Sequence, residues 1–120
     1  MYFVLLLALV GLYVPAKAFL VNIPDANFRT YLQTNYPTCF VGAQMETTCS
    51  GITSATVMDV DNSGITNLTG LEYFTSLRSF TCGNNQIMSL PALPASLLYL
   101  YCYYNQLTSL PALPVGLLYL

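Results

Sequence analysis

The chain has no histidine, only three basic residues, and no charged side chain of any kind from Ser79 to Leu120. Without histidine, general acid–base chemistry would have to come from a few carboxylates upstream, and no constellation of them stands out, so no catalytic residue and no enzymatic activity is expected. Without a basic patch there is nothing to neutralise phosphates, so nucleic acid is excluded as a partner. The four cysteines lack the paired spacing of a zinc site, so no metal or cofactor is expected there either. Beyond residue 18 the charges are Arg29 and Arg78 against Asp25, Glu46, Asp59, Asp61 and Glu72, an acidic balance.

What is present begins with MYFVLLLALVGLYVPAKA, residues 1–18. An apolar run from Tyr2 to Val14, a helix-breaking Pro15 and the small residues Ala16 and Ala18 are the marks of a secretory signal peptide, with cleavage before Phe19. The run is shorter than the roughly 20 residues of a spanning helix, so no membrane span is expected once it is removed. Export permits disulfides, and Cys39 and Cys49, which close a short loop, are the natural pair.

The stretch DVDNSGITNLTG, Asp59 to Gly70, opens like a calcium-binding loop, with Asp59, Asp61, Ser63 and Gly64 at the first, third, fifth and sixth positions. The twelfth position, which should carry a bidentate Glu, is Gly70. Calcium is therefore not expected, and the stretch has another explanation.

Sliding the chain against itself supplies it. LRSFTCGNNQIMSLPALPAS (77–96) is followed by LLYLYCYYNQLTSLPALPVG (97–116), and a third copy begins at 117–120. Leu77 matches Leu97, Phe80 matches Leu100, Cys82 matches Cys102, and Asn85 matches Asn105. The order L-x-x-L-x-C-x-x-N-x-L is the leucine-rich repeat pattern. Because residues alternate sides in a strand, Phe80 with Cys82 and Leu100 with Cys102 are expected to point inward. Asn85 and Asn105 are expected to satisfy backbone groups where the chain turns. Two prolines three apart in PALP exclude a helix and predict an extended, polyproline-like or 3-10 return. A shift of 22 residues brings the opening stretch into the same frame, with Met58 over Phe80 and Val60 over Cys82, which makes Asp59 and Asp61 outward neighbours of inward residues.

The predicted architecture is a leucine-rich repeat solenoid: short parallel strands on a concave face, irregular convex segments, and an N-terminal helical cap. Its expected parts are a cap at 19–54, with a helix at about 24–34 started by Pro24 and Asp25 and the Cys39/Cys49 loop, then repeats at 55–120, divided 55–76, 77–96, 97–116 and the start of another at 117–120. A chain stopping inside a strand at Leu120 reads as a fragment with further repeats of its own missing.

VNIPDANFRTYL, ITNLTGLEYFTSL and LPALPASLLYLYCYYNQLTSLPALP resemble the secreted leucine-rich repeat proteins of bacteria, especially those of Bacteroidetes-type organisms. The resemblance implies a secreted or cell-surface protein whose repeats bind another macromolecule, a protein or a glycan, without catalysis. The repeat form is also similar to that of bacterial virulence effectors, which would make the chain the substrate-recognition part of an enzyme whose catalytic domain lies beyond residue 120.

Binding is expected on the outward columns of the strands: Val57, Ser79, Tyr99 and Tyr119, then Asp59, Thr81 and Tyr101, then Asp61, Gly83 and Tyr103. Tyrosine combines a rigid apolar body with a polar tip, so Tyr99, Tyr101, Tyr103 and Tyr119 are the candidate ligand contacts, with Asp59, Asp61 and Thr81. Tyr104 is expected on the rim. Cys82 and Cys102 have a redox or metal reading, but buried core cysteines in a ladder fit the pattern better, and neighbouring strands could also bring them to pairing distance.

Overall fold

The computed structural model describes residues 19–120, so the signal segment expected at 1–18 lies outside the described residues. Six strands and two helices follow in the order β1 (Leu20–Asn22), α1 (Ala26–Asn35), β2 (Phe40–Val41), β3 (Gln44–Glu46), α2 (Ser50–Ser54), β4 (Val57–Asp59), β5 (Ser79–Thr81) and β6 (Tyr99–Tyr101), with 3-10 turns at Pro37–Cys39 and Leu71–Tyr73.

Helix α1 starts where Asp25 accepts a hydrogen bond from the Phe28 amide at 2.9 Å, which satisfies one of the amides a helix start leaves unpaired. It buries Phe28 and Leu32, four residues apart on one face. The chain then turns at Pro37–Cys39 and forms an antiparallel sheet of order β1-β3-β2. β2 and β3 are joined by the two-residue turn Gly42-Ala43; only Gly42 has positive φ, +61°, the hairpin geometry that calls for glycine first. A disulfide joins Cys39 to Cys49, whose Cα atoms are 5.5 Å apart. Closing so short a loop removes on the order of 2–3 kcal/mol of freedom from the unfolded chain.

The second sheet is parallel, of order β4-β5-β6. Val57 pairs with Ser79 and Ser79 with Tyr99, and an isolated bridge adds Tyr119 beside Tyr99. Met58, Phe80 and Leu100, the middle residues of the three strands, are fully buried. The ladder continues past the strands: the Val60 and Asn62 amides donate to Thr81 and Gly83 carbonyls, and the Cys82 and Asn84 amides donate to Tyr101 and Tyr103. The PALP segments carry no regular secondary structure.

This architecture corrects the one expected from the repeats. A leucine-rich repeat solenoid would be a row of equivalent coils behind a cap, whereas the described chain is two small sheets of opposite kind with two helices around shared apolar residues. One cluster runs from Ile23, Phe28, Leu32, Met45 and Ile52 through Phe74 and Phe80 to Leu100. The Tyr36 and Phe74 rings, with centroids 5.7 Å apart, bring the two parts together. The physical reason is that the first part lacks the repeat altogether, and its strands bury their apolar residues in antiparallel pairing with one another. The alikeness of two segments accounts for the parallel sheet and does not extend to the rest.

Asp25 ties the parts. Besides capping α1, its second carboxylate oxygen accepts from the Thr66 amide at 2.8 Å, the Thr66 hydroxyl at 3.0 Å and the Asn67 amide at 3.2 Å. Burial alone would push this carboxyl up, but the hydrogen bonds from Phe28, Thr66 and Asn67 outweigh it and hold the group below the ordinary carboxylate range.

Candidate functional site

The outward side of the parallel sheet carries the candidate residues, because the inward positions alternate with them along each strand. In the first column Val57 is exposed and Ser79 half-buried. Tyr99 and Tyr119 stack, with centroids 5.7 Å apart and planes 17° apart. Their faces are turned to each other across the strands, and their edges remain for a ligand. In the second column Asp59 is exposed, Thr81 half-buried, and Tyr101 38% exposed.

The third column is bound together. Asp61 accepts from the Gly83 amide with one carboxylate oxygen and from the Tyr103 hydroxyl with the other, both at 2.6 Å. The Tyr103 ring lies over Gly83, where even a methyl group would overlap it. Tyr103 thus reaches back across β5 to the segment after β4, 42 residues earlier in sequence. The hydrogen bond to Asp61, with smaller contributions from desolvation and from the charges of Asp61 and Asp59, raises the phenol above its ordinary value. Asp61 and Tyr103, expected as separate ligand contacts, therefore hold each other; the Tyr103 ring, 47% exposed, is what remains open.

Beneath this face the two asparagines order the turning chain. Asn85 is buried, accepts from the Ser63 and Ile65 amides at 3.0 Å each, and donates to the carbonyls of Val60, Cys82 and Gly83. Asn105, half-buried, accepts from the Ile87 amide and donates to Cys82, Cys102 and Tyr103. Cys82 is buried and Cys102 half-buried, and both are free thiols. Burial, with the nearby Cys102 and Asp61 adding to it, pushes the Cys82 thiol up to about 12, and burial raises Cys102 as well. Such thiols are poor nucleophiles.

The other carboxylates each accept one local hydrogen bond. Asp59 accepts from the Asp61 amide, Glu72 from the Gly70 amide and Glu46 from the Thr48 hydroxyl. Among the described residues no three His, Cys, Asp or Glu side chains come together as metal ligands would, and no helix is long and apolar enough to cross a membrane. Asp59 and Asp61, the pair that opened like a calcium loop, form an aspartate turn whose second member is taken by Tyr103 and Gly83.

Asn62, Asn84 and Tyr104 occupy corresponding places and all have positive φ, 53°, 54° and 52°. Asparagine tolerates that conformation and tyrosine does not do so readily. Tyr104 is 80% exposed, and its ring stands nearly perpendicular to that of Tyr103, with centroids 5.7 Å apart and planes at 82°. The signal was there in the alignment, as a tyrosine replacing two asparagines.

The chain matches no protein-family model, and no curated protein matches it.

Proposed function

We propose that the protein is a non-catalytic binding module, secreted or surface-exposed, that holds a polypeptide segment against the tyrosine-lined face of its parallel sheet. The observation that carries this reading is the aromatic surface itself: Tyr101, Tyr103, Tyr104 and Tyr119 are exposed on one side of a sheet whose backbone is fixed by the Asn85 and Asn105 networks. Exposed aromatic surface on a rigid support is the composition of interaction hot spots. In the Tyr99–Tyr119 pair the rings stack on each other, which leaves edges and hydroxyls to suit backbone and side-chain groups of a polypeptide better than the flat platform a sugar ring stacks on. The resemblance of the repeats to secreted bacterial proteins points the same way.

The test is to select peptides from a random displayed library on the immobilised protein and measure their affinity for a variant with Tyr99, Tyr101 and Tyr119 all changed to Ser. Tyr103 is left in place because it holds Asp61. A drop of tenfold or more, with the circular dichroism spectrum unchanged, is expected. Selected peptides that bind the variant as tightly as the parent would place binding elsewhere, and a library that yields only carbohydrate-competed binders would favour a glycan.

A further inference from the structure

We infer that the exposed ring of Tyr103, with Tyr104 standing against it and Asp59 on the same outward side of the sheet, is a seat for a cationic side chain, arginine or lysine, of a bound polypeptide. This deepens the proposed function and rests on it.

The first ground is geometric. The Tyr103 ring is laid on the backbone at Gly83 and tethered by its hydroxyl to Asp61, and it remains 47% exposed. Tyr104 stands nearly perpendicular to it at 82°, and the two rings make a corner instead of a flat patch. A cation over an aromatic face is attracted by the ring's quadrupole, and a second wall removes water from it.

The second ground is electronic. The Tyr103 hydroxyl donates to a carboxylate at 2.6 Å, which draws its proton outward and leaves more electron density on the ring. This makes the face a better partner for positive charge than an unbonded tyrosine would be.

The third ground is charge complementarity. Asp59 and Asp61 lie at this end of the sheet, and the outward columns contain no basic residue. The two described cations are placed elsewhere: the Arg29 guanidinium donates to the Ile23 carbonyl at 2.6 Å, and Arg78 precedes β5, at the opposite end of the strands from Tyr103. Asp61 has both oxygens engaged, whereas Asp59 accepts from the Asp61 amide with one oxygen and is exposed. Its other oxygen is the group that would pair with a guanidinium or ammonium. The charge of Asp59 is felt by the Tyr31 and Tyr103 phenols, neither of them a cation, and an acidic segment would meet repulsion there.

The experiment titrates the protein, with its tyrosine rings labelled for NMR, with the peptide acetyl-Gly-Arg-Gly-Arg-Gly-amide and with the same peptide carrying citrulline, the uncharged isostere of arginine. Saturable shifts of the Tyr103 and Tyr104 ring signals with the arginine peptide, at least about fivefold weaker with citrulline, are expected. Asp59→Asn keeps the acceptor for the Asp61 amide and should weaken the arginine peptide about threefold or more. Tyr103→Leu should abolish the Tyr104 shift. Equal response to both peptides, an unaltered titration in Asp59→Asn, or no response to either up to about 10 mM would overturn the proposal. Shifts confined to Tyr99, Tyr101 and Tyr119 would overturn the cation seat and leave the binding face standing. Shifts of Tyr103 with cellohexaose in place of peptide would overturn the polypeptide partner itself.

Discussion

Replacing Asn85 with Ala tests the claim that one buried amide organises the turns beside the binding face. Five hydrogen bonds end on this side chain, but they are not equally exposed to its loss. The Gly83 carbonyl also accepts from the Asn62 amide and the Cys82 carbonyl from Asn105, so each keeps a partner. The Ser63 and Ile65 amides and the Val60 carbonyl are the groups that suffer. An unpaired buried amide costs about 1–3 kcal/mol. Ile65 is wholly buried and belongs near the top of that range, while half-buried Ser63 can find water and belongs near the bottom. With a smaller cost for the Val60 carbonyl, the sum is about 4–5 kcal/mol, a large share of the roughly 5–15 kcal/mol by which a domain is stable. Asn105→Ala is the milder internal control, because the groups it orphans, the Ile87 amide and the Cys102 carbonyl, lose bonds that are only partly buried. Its cost should be about 1–2 kcal/mol. In urea unfolding followed by circular dichroism the midpoint should fall by about 3 M for Asn85→Ala and about 1 M for Asn105→Ala, with the slope unchanged. Equal midpoints, or a loss below about 1 kcal/mol for Asn85→Ala, would refute the burial-weighted reasoning and assign the order of the turns to the backbone ladder alone.

Three other expectations follow from the same contacts. Because the Asp25 carboxyl is depressed in the folded state, its stabilisation is complete above the unfolded value near 3.9 and is lost as pH falls through the lower folded value; Asp25→Ala should be less stable at neutral pH and show a flatter urea midpoint against pH below about 5. Tyr104→Asn relieves a left-handed tyrosine and should raise stability by about 1 kcal/mol, seen as a melting temperature a few degrees higher; a lower one would show that the Tyr103–Tyr104 contact outweighs the strain. Cys82 and Cys102, being free with raised values, should react slowly with a thiol reagent at pH 8, half-buried Cys102 first, and both rapidly in urea; a native protein with no titratable thiol would show that they pair.

The parts of the fold legible in the chain are those with a period or a local rule. Residues 22 and 20 apart, such as Met58, Phe80 and Leu100, share a frame because each fills the same inward place, and they pair in the sheet. The Cys39–Cys49 disulfide and the start of α1 at Asp25 follow from short-range spacing. The antiparallel sheet was illegible because strands of two and three residues have no room for a period. Periodicity over 55–120 suggested a solenoid behind a helical cap at 19–54, and it carried no sign of the antiparallel sheet that residues 20–46 form. A repeat reports which segments are alike; it is silent about how the unlike segments complete the core.

The candidate site failed to be legible for a different reason. Alternation correctly sorts inward from outward, as buried Phe80 between half-buried Ser79 and Thr81 shows, but it treats every outward residue as equally available. Availability is decided by contacts across strands, and those depend on side-chain reach. Tyr103 can touch Asp61 only because Gly83, between them, has no side chain to stand in the way. The same glycine that lets the ring lie down removes Asp61 from the surface and fixes Tyr103 upon it. Gly83→Ala should therefore act at a distance: with a methyl in its place the ring must lift, the Asp61 bond must break, and the Tyr103 phenol should return toward 10 in a spectrophotometric titration. If the phenol stays raised in that variant, the ring is held by something other than its seat on Gly83, and both the closed third column and the cation seat built on it lose their geometric footing.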